Sequence, residues 1–480
     1  MFGQLVRLAR HSAVYGVGGL VSRILAVLFL PLYTRYLTPR DYGEIETLVA
    51  LSAVLVTVLR MGIPSAFFRF YFDLADGRDR LRLIRTSFWF TMGVATAALV
   101  AGLLASDAIA HWLFGANGSE ALVGAACVGL WTQMNYEQLT ALFRVEQRSV
   151  GFVLASLGNV LITVAATLFF VVVLRAGATG VLVGNFLGTL AVYLVLLVRR
   201  RAQLGLEFDG SLLRAMNRFG LPLVPAALAL WVVNFADRFF LIKLAGAREV
   251  GLYSIGVRMS SAILLLLIAF STAWPAFAYS LDDDREARRT YGFVLTYLLF
   301  LCCWLSLALG LLSPWLVRLL TTPPFYSSAR VVAPLAFSLA AYAGYTVVVV
   351  GVGRAGRTGF NWVVAGAAAV VNTALNVALI PRYGMIGAAV ATLAAYAALF
   401  AGMAWHAQRI YPVPYQWNRV LVLFGSAAAL TVLGMTLQLP LLAALAVILT
   451  YPVVLALAGF FVPSERTRLL RLVYHLSPLR

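Results

Sequence analysis

The sequence predicts an all-α polytopic membrane protein with about fourteen transmembrane helices. Its 480 residues are 62% hydrophobic and only 12% charged, and the mean hydropathy is +0.90. A soluble domain of this size could not keep so much apolar surface away from water, whereas a run of about 20 apolar residues suits one membrane-crossing helix. The net charge of +18 therefore belongs to loops and spans, and we expect no nucleic-acid partner.

The predicted spans are apolar segments separated by loops that carry charge, glycine or proline. The first is expected to be an uncleaved helix, because its apolar run is too long for a signal-peptide core. The fourteen spans lie near residues 11–37, 43–70, 86–105, 121–143, 151–174, 180–198, 219–244, 250–279, 291–312, 330–352, 359–380, 385–405, 418–437 and 440–462.

Signals of catalysis are missing from the sequence. The three cysteines, Cys127, Cys302 and Cys303, lie in apolar segments without metal-ligand spacing. The four histidines are scattered, and no Gly-x-x-x-x-Gly-Lys-Ser/Thr phosphate-binding motif occurs. We therefore expect no disulfide, metal site or cofactor, no catalytic residue and no enzymatic activity.

The distribution of arginines predicts the orientation. With the N terminus in the cytoplasm, 24 arginines fall on the cytoplasmic side, whereas 8 basic residues fall on the outer side. Cytoplasmic loops of membrane proteins carry such an excess. Both termini are therefore predicted to be cytoplasmic, with the basic loops facing anionic lipid.

The chain contains a weak internal repeat with an offset of 207 to 208 positions. Each unit holds six spans, an even number, so the two halves share one orientation and are related by a pseudo-twofold axis along the membrane normal. The repeat predicts an N-lobe (1–208), a C-lobe (209–410) and an appended part (411–480) with helices 13 and 14 and a basic tail. The matching anchors are Arg40–Gly43 with Arg248–Gly251, Asp76–Asp79 with Asp283–Glu286, Gly151–Phe152 with Gly359–Phe360, and Arg175–Gly180 with Arg382–Gly387.

Two turns of this repeat are expected at symmetric places on the outer face. Leu32–Gly43 joins predicted helices 1 and 2, and its fainter copy Leu244–Gly251 joins helices 7 and 8. We interpret the pair as a hinge or outer gate between the lobes.

The end of the first helix also carries a family resemblance. The stretch Tyr33-Thr-Arg-Tyr-Leu-Thr-Pro-Arg-Asp-Tyr-Gly43, followed by six plus six helices with two appended, resembles the bacterial polysaccharide flippases. These are the O-antigen and exopolysaccharide repeat-unit translocases of the multidrug/oligosaccharidyl-lipid/polysaccharide exporter superfamily. Ala236–Phe239 through Gly251–Ser254 looks like helices 7 and 8 of the same family.

The resemblance implies two six-helix lobes around a central cavity that opens alternately to each side of a bacterial inner membrane. It implies an undecaprenyl-diphosphate-linked oligosaccharide as substrate, moved from the cytoplasmic to the outer leaflet for cell-surface polysaccharide biosynthesis. The expected partners are this substrate and membrane lipids, with a polysaccharide polymerase and glycosyltransferases acting nearby. We expect the protein to be a monomer.

Five arginines lie within predicted spans, where a charge is costly and usually faces a protein interior or a wet cavity. Arg69 is near a span end and should reach the surface. Arg23, Arg60, Arg238 and Arg258 lie on helices 1, 2, 7 and 8 and are predicted to converge on the diphosphate, whose oxygens suit guanidinium donors. The alternative is that each arginine pairs with an acid or with backbone carbonyls for structural reasons.

Other polar residues within spans complete the predicted site. Asn159, Asn234 and Asn376 are expected to line the substrate path, although hydrogen bonding between helices is an equal alternative. Without a nucleotide site, an ion gradient or the membrane potential must drive uphill transport. Glu137 and Asp237 are the candidate groups for ion coupling.

Three other functions remain open at this point. A cation-coupled multidrug antiporter of the same superfamily would favour cavity carboxylates over arginines and generally lacks helices 13 and 14. A lipid-linked peptidoglycan precursor flippase would share fourteen helices and a cationic cavity, although the Pro-Arg-Asp-Tyr-Gly turn favours the polysaccharide branch. A membrane-embedded polymerase or ligase would need a long outer loop with catalytic residues, and the predicted outer loops are short.

Overall fold

The computed structural model describes residues 29–74, 76–115, 119–457 and 460. Within these ranges the chain is helical and contains no β-strand. The α-helices in chain order are α1 (Leu30–Tyr36), α2 (Pro39–Leu59), α3 (Ile63–Asp73), α4 (Gly77–Leu104), α5 (Ser106–Phe114), α6 (Glu120–Val145), α7 (Ser149–Leu168), α8 (Gly177–Arg200), α9 (Gly210–Gly220), α10 (Val224–Leu244), α11 (Ala247–Ser260), α12 (Ala262–Tyr279), α13 (Asp284–Leu320), α14 (Ala329–Arg354), α15 (Asn361–Ile410), α16 (Trp417–Thr436) and α17 (Leu441–Leu457).

The all-helical membrane fold predicted from the sequence is confirmed. In the described part of the chain, nine helices are long and apolar enough to cross a membrane, or ten if the bent pair Gly210–Leu223 and Ala227–Leu244 is one span. The 50-residue α15 contains non-helical Gly384, with φ 54° and ψ −131°, between the predicted spans 359–380 and 385–405. Most of the first predicted span lies outside the described residues, and the total of fourteen stays a prediction.

The predicted span 43–70 is broken into α2 and α3. Met61 and Gly62 have φ of 49° and 73°, so α2 ends at Leu59 with Arg60 as its C-cap residue. A Cβ on Gly62 would lie 2.2 Å from the carbonyl oxygen of Gly220. Pro64 follows in the first turn of α3, where its missing N–H costs no helical hydrogen bond. The break turns the side chain of Arg60 towards α6.

Buried side chains form separate cores in the two halves and one shared core. One cluster consists of residues from α10 onward, and another lies among α3, α4, α6, α8 and α9. A third joins α1, α2 and α8 to α10, α11 and α14. This arrangement suits two lobes with a common seam, although the predicted domain boundaries stay a prediction.

The two repeated turns meet at this seam. Thr38 caps α2 in a reciprocal arrangement with Asp41, and α2 then crosses α11 in backbone contact. A Cβ on Gly43 would lie 1.8 Å from the oxygen of Ala247, and one on Gly251 would lie 1.9 Å from the oxygen of Pro39. The crossing therefore needs glycine at both repeat-related positions.

Candidate functional site

A cavity of about 840 Å³ lies among α1, α2, α6, α7 and α8, and it is closed on one side by α11. Its volume is within the range of small-molecule sites, about 300 to 1,000 Å³. Apolar side chains form most of the wall. The polar lining residues are Tyr33, Tyr42, Glu46, Ser52, Gln133, Glu137, Asn159, Thr163, Asn185, Thr189 and Arg258.

Arg258 is the one arginine among the described lining residues, and it reaches the cavity from the other half of the chain. Its Nη2 donates to Oε1 of Glu46 at 2.7 Å, and its guanidinium lies over the ring of Tyr42, 5.1 Å from the centroid. The side chains of Arg258 and Glu46 are 30% and 13% exposed. Because α2 supplies the acid and the ring, this contact bridges the seam.

Arg60 is held by α6. Its Nη1 donates to Oε2 of Glu137 at 2.5 Å, and its Nη2 donates to the carbonyl oxygen of Met134 at 2.9 Å. The amide of Gln133 donates to the other oxygen of Glu137. Glu137 and Gln133 line the cavity, whereas Arg60 lies behind them.

Amide and hydroxyl groups face the same cavity from α7 and α8. Oδ1 of Asn159 accepts hydrogen bonds from Oγ1 of Thr163 at 3.1 Å and of Thr189 at 3.3 Å. Asn185 lies one helical turn before Thr189 and also lines the wall. These neutral donors and acceptors match the hydroxyl and amide groups of sugars.

Asp237 is the centre of a second polar cluster, in the C-terminal half. It is 1% exposed and accepts hydrogen bonds from Tyr253 at 2.6 Å, from Asn376 at 2.9 Å and from Thr392 at 2.9 Å. Asn376 also donates to Asn372 at 2.9 Å. Three donors satisfy a carboxylate that would otherwise be very unfavourable at this depth.

Arg238 and Asn234 lie beside this cluster. Nη1 of Arg238 donates to the backbone oxygen of Asn234 at 2.8 Å, and its guanidinium lies over the rings of Phe235 and Tyr253 at 5.4 and 5.5 Å. Oδ1 of Asn234 accepts from the hydroxyl of Tyr396 at 2.8 Å. Among the described residues no carboxylate forms an ion pair with Arg238, which is 5% exposed.

The predicted site residues thus fall into two groups. Glu137, Asn159 and Arg258 line the cavity, with Arg60 behind Glu137. The group around Asp237 contains the remaining described residues of the prediction, Asn234, Arg238 and Asn376. Arg23 lies outside the described residues.

Sequence reasoning missed Glu46, the acid that pairs with Arg258. It also missed Gln133, Asn185 and Thr189. The available signal for Glu46 was an acid inside the predicted span 43–70 without a basic residue three or four positions away. In the described ranges, His, Cys, Asp and Glu side chains form no group of three that could hold a metal.

Comparisons with known proteins assign this chain to a family. The family described as "Polysaccharide biosynthesis protein" matches residues 32–330. A curated relative, "Lsg locus putative protein 1" of Haemophilus influenzae, is 23% identical over 295 residues, which are 58% of this chain and 68% of that protein.

Solved structures share the fold at low sequence identity. One titled "Lipid II flippase MurJ, inward closed conformation" has a TM-score of 0.74 at 13% identity and covers 94% of this chain and all 100% of its own. An inward-facing multidrug resistance MATE transporter of the MOP superfamily has a TM-score of 0.68 at 15% identity, with 81% and 94% coverage. A MOP superfamily transporter from Pyrococcus furiosus has a TM-score of 0.57 at 13% identity, with 87% and 96% coverage.

The family match covers more than half of the chain, and the structural matches extend over nearly all of it. They confirm the resemblance drawn from the turn at Tyr33–Gly43. The chain belongs to the polysaccharide biosynthesis protein family, and it shares the fold of the solved MurJ and MATE structures.

Proposed function

We propose that this protein is a flippase for an undecaprenyl-diphosphate-linked oligosaccharide, which it moves from the cytoplasmic to the outer leaflet. The observation that carries the proposal is the composition of the cavity wall as far as the chain is described. Arg258 from the opposite half faces a set of amides and hydroxyls there, and the two wall acids, Glu46 and Glu137, both have arginine partners. A guanidinium suits the diphosphate, and the amides and hydroxyls suit the glycan. The family membership supports a polysaccharide precursor as the cargo.

In this proposal Arg258 binds the headgroup, and Glu46 holds Arg258 in place until the substrate arrives. A diphosphate offers more acceptor oxygens than one carboxylate and can replace Glu46 as the partner of the guanidinium. Asn159 and its neighbours hydrogen-bond to the sugars. Arg60, Arg238, Asn234 and Asn376 remain candidate substrate contacts, which become accessible as the lobes move. Arg23 remains a candidate by its position in the sequence.

The proposed transport cycle is alternating access. The contact of Gly43 with Ala247 closes the seam on the predicted outer side. Thr322 supports the same closure, since its Oγ1 donates to the backbone oxygen of Thr34 at 2.7 Å. Rocking of the lobes would separate these contacts and release the substrate outwards, while the lipid tail stays in the bilayer.

Ion coupling is proposed for Asp237 in preference to Glu137. Glu137 already has an arginine partner, which neutralises its charge. Within the described ranges the donors to Asp237 are the neutral groups of Tyr253, Asn376 and Thr392. We propose that it can exchange a proton or a small cation with less rearrangement. We propose that this exchange couples the C-terminal half to an ion gradient.

Flipping can be measured in vesicles with a fluorescent polyprenyl-diphosphate oligosaccharide, scored by its accessibility to a membrane-impermeant quencher. We expect Arg258→Gln to slow flipping at least about tenfold, the effect of losing one charged hydrogen bond of about 1.5 kcal/mol or more. Arg318→Gln is the matched control, since Arg318 is an exposed arginine outside the cavity lining. Flipping of both variants at the wild-type rate would refute the proposed site.

Two carboxylates on the cavity wall, Glu46 and Glu137, give the multidrug antiporter some support. Both have arginine partners, which leaves little net negative charge for a cationic drug. Efflux of a cationic dye from the same vesicles separates the two functions. Dye efflux without lipid flipping would favour the antiporter.

A further inference from the structure

The segment that connects the two halves is fixed to the N-terminal half by several hydrogen bonds, most of them to α4. Glu207 accepts from Arg82 at 3.1 Å and from Arg85 at 2.7 Å. The indole N–H of Trp89 donates to the backbone oxygen of Gly205 at 3.2 Å, and the backbone N–H of Asp209 donates to Oγ1 of Thr86 at 3.1 Å. The hydrogen bonds from Arg85 and Arg82 hold the pKa of Glu207 below its usual range.

These contacts hold two large apolar side chains away from the protein. Leu206 is 91% exposed and Phe208 is 54% exposed. They flank Glu207, whose carboxylate is turned inwards to Arg82 and Arg85. The chain bends at Leu206, and the N–H of Glu207 donates to the carbonyl oxygen of Gly205 at 2.9 Å. This local turn and the ion pairs of Glu207 fix the backbone, and with it the outward position of the two neighbours.

The same connection carries arginines that have no internal partner. Within the described ranges, Arg199, Arg201, Arg214 and Arg218 are exposed and take part in no ion pair or side-chain hydrogen bond. The nearby acid Asp209 is occupied, because it caps α9 by accepting from the N–H groups of Ser211 and Leu212. The surface therefore combines uncompensated positive charge with exposed apolar groups.

We propose that this surface docks on acidic phospholipid headgroups of the leaflet that it faces, with Leu206 and Phe208 inserted between them. We call it the linker surface, defined by Arg199, Arg201, Leu206, Phe208, Arg214 and Arg218. Charge complementarity selects an acidic lipid, since basic residues are attracted to anionic membrane surfaces. The exposed apolar pair selects a membrane, since insertion removes both side chains from water.

Docking would have a mechanical effect at the junction of the two halves. The connection up to Asp209 is fixed to α4, and α9 packs on α3 through the contact of Gly220 with Gly62. The chain then bends by 55° into α10. Lipid at the linker surface would hold the N-terminal side of this bend, so the movement between the halves would concentrate at Leu221–Leu223.

The proposal is tested with the full chain carrying Phe208→Cys in a background with Cys127→Ser, labelled with an environment-sensitive fluorophore and reconstituted in two kinds of vesicle. One contains phosphatidylcholine alone, and the other contains equal parts of phosphatidylcholine and phosphatidylglycerol. We expect a blue shift in the phosphatidylglycerol vesicles that high salt reverses, because salt screens the attraction. Thr436→Cys, at the exposed end of α16 and 17 positions from the nearest arginine in the sequence, is the control and should give the same emission in both vesicles.

A second arm removes the charge. Replacing Arg201 and Arg214 by glutamine should raise the phosphatidylglycerol fraction needed for half of the shift, with a loss of apparent affinity of about fivefold for each arginine. The same pair of changes should leave the emission in phosphatidylcholine unaltered. Equal emission of the Phe208→Cys protein in the two vesicles, or a shift indifferent to salt and to the glutamines, would overturn the proposal. Flipping is not the readout, so a failed substrate assignment and a failed linker surface give different results.

Discussion

Arg258 donates to Glu46 across the seam between the two halves, and the same arginine faces the cavity. The pair therefore links closure of the seam to the charge of the binding site. An anion that takes Arg258 from Glu46 removes one of the contacts that hold the halves together. We expect substrate binding and opening of the outer side to be energetically linked through this pair.

The first prediction concerns Glu46→Gln. Loss of a charged hydrogen bond worth about 1.5 to 3 kcal/mol should favour the outward-open state at least about tenfold. The measurement is the rate at which a membrane-impermeant thiol reagent labels Ser52→Cys in the cavity wall, in a background with Cys127→Ser. Glu44→Gln is the control, since Glu44 pairs with Arg40 in the same helix. Equal labelling rates for Glu46→Gln and its parent would contradict the link.

Glycine at the α2–α11 crossing is the subject of the second prediction. Gly43→Ala or Gly251→Ala would place a methyl group within 2 Å of a backbone oxygen. Overpacking of this kind costs about 1 to 3 kcal/mol, and we expect the outer side to close incompletely and the thermal midpoint to fall. Gly93→Ala is the control, because nothing lies within 4 Å of the added Cβ. If all three variants have the thermal midpoint of the wild type, the close crossing does not contribute to stability.

A third prediction separates ion coupling from substrate binding. Asp237→Asn keeps the shape of the side chain but removes its charge, so it can no longer exchange a proton or cation. Flipping driven by an imposed ion gradient should fall at least about tenfold, whereas gradient-independent binding of the lipid-linked substrate should be retained. Asp282→Asn in an exposed loop controls for the loss of a carboxylate. Gradient-driven flipping that survives Asp237→Asn would rule Asp237 out.

The pH dependence of stability should reveal the contacts of Asp284 at the start of α13. Its pKa is lowered by the hydrogen bond from Tyr411, at 2.6 Å, and by Arg288. Because the folded-state pKa is depressed, the stabilisation is present above the unfolded-state pKa of about 3.9 and is lost as the pH falls through the folded-state value. The side chain of Asp284 is 52% exposed. Solvent screening therefore limits the contribution of these contacts to the free energy of unfolding to less than about 1 kcal/mol.

Thermal melts of Asp284→Asn and the parent protein measure this contribution. The difference in melting temperature should be constant from pH 7 to about pH 5 and should shrink on further acidification. Asp283→Asn does not isolate the same effect, because Asp283 caps α13 through the backbone N–H of Arg285. If the difference in melting temperature grew on acidification, the pKa of Asp284 would not be depressed in the folded state.

Much of the fold follows from the sequence because membrane spans are long and apolar. The limits of α8 and α14 lie within a few residues of the predicted spans 180–198 and 330–352. The sequence predicted one span over 43–70, whereas the chain breaks at Arg60–Gly62, where Gly62 meets Gly220, 158 positions away. A contact of that kind depends on packing between distant segments, which no local pattern contains.

The sequence predicted which charged residues belong to the candidate site better than it predicted their contact partners. Intramembrane charge identified Arg60, Arg238 and Arg258, because charges in spans are costly. Their partners depend on the rotation and depth of neighbouring helices, which sequence spacing alone does not fix. The sequence therefore suggested four converging cations, whereas Arg60 and Arg258 each lie against a carboxylate.

The crossing of α2 and α11 at Gly43 and Gly251 also limits which substitutions each half can accept. The two positions are related by the internal repeat and touch each other's segments, which is the self-complementary contact of a symmetric dimer contained in one chain. In a symmetric dimer, one substitution changes both sides of such an interface at once. Here the two glycines are at separate positions of one chain. A substitution at either one is therefore enough to add a side chain that clashes with the other segment and separates the two halves.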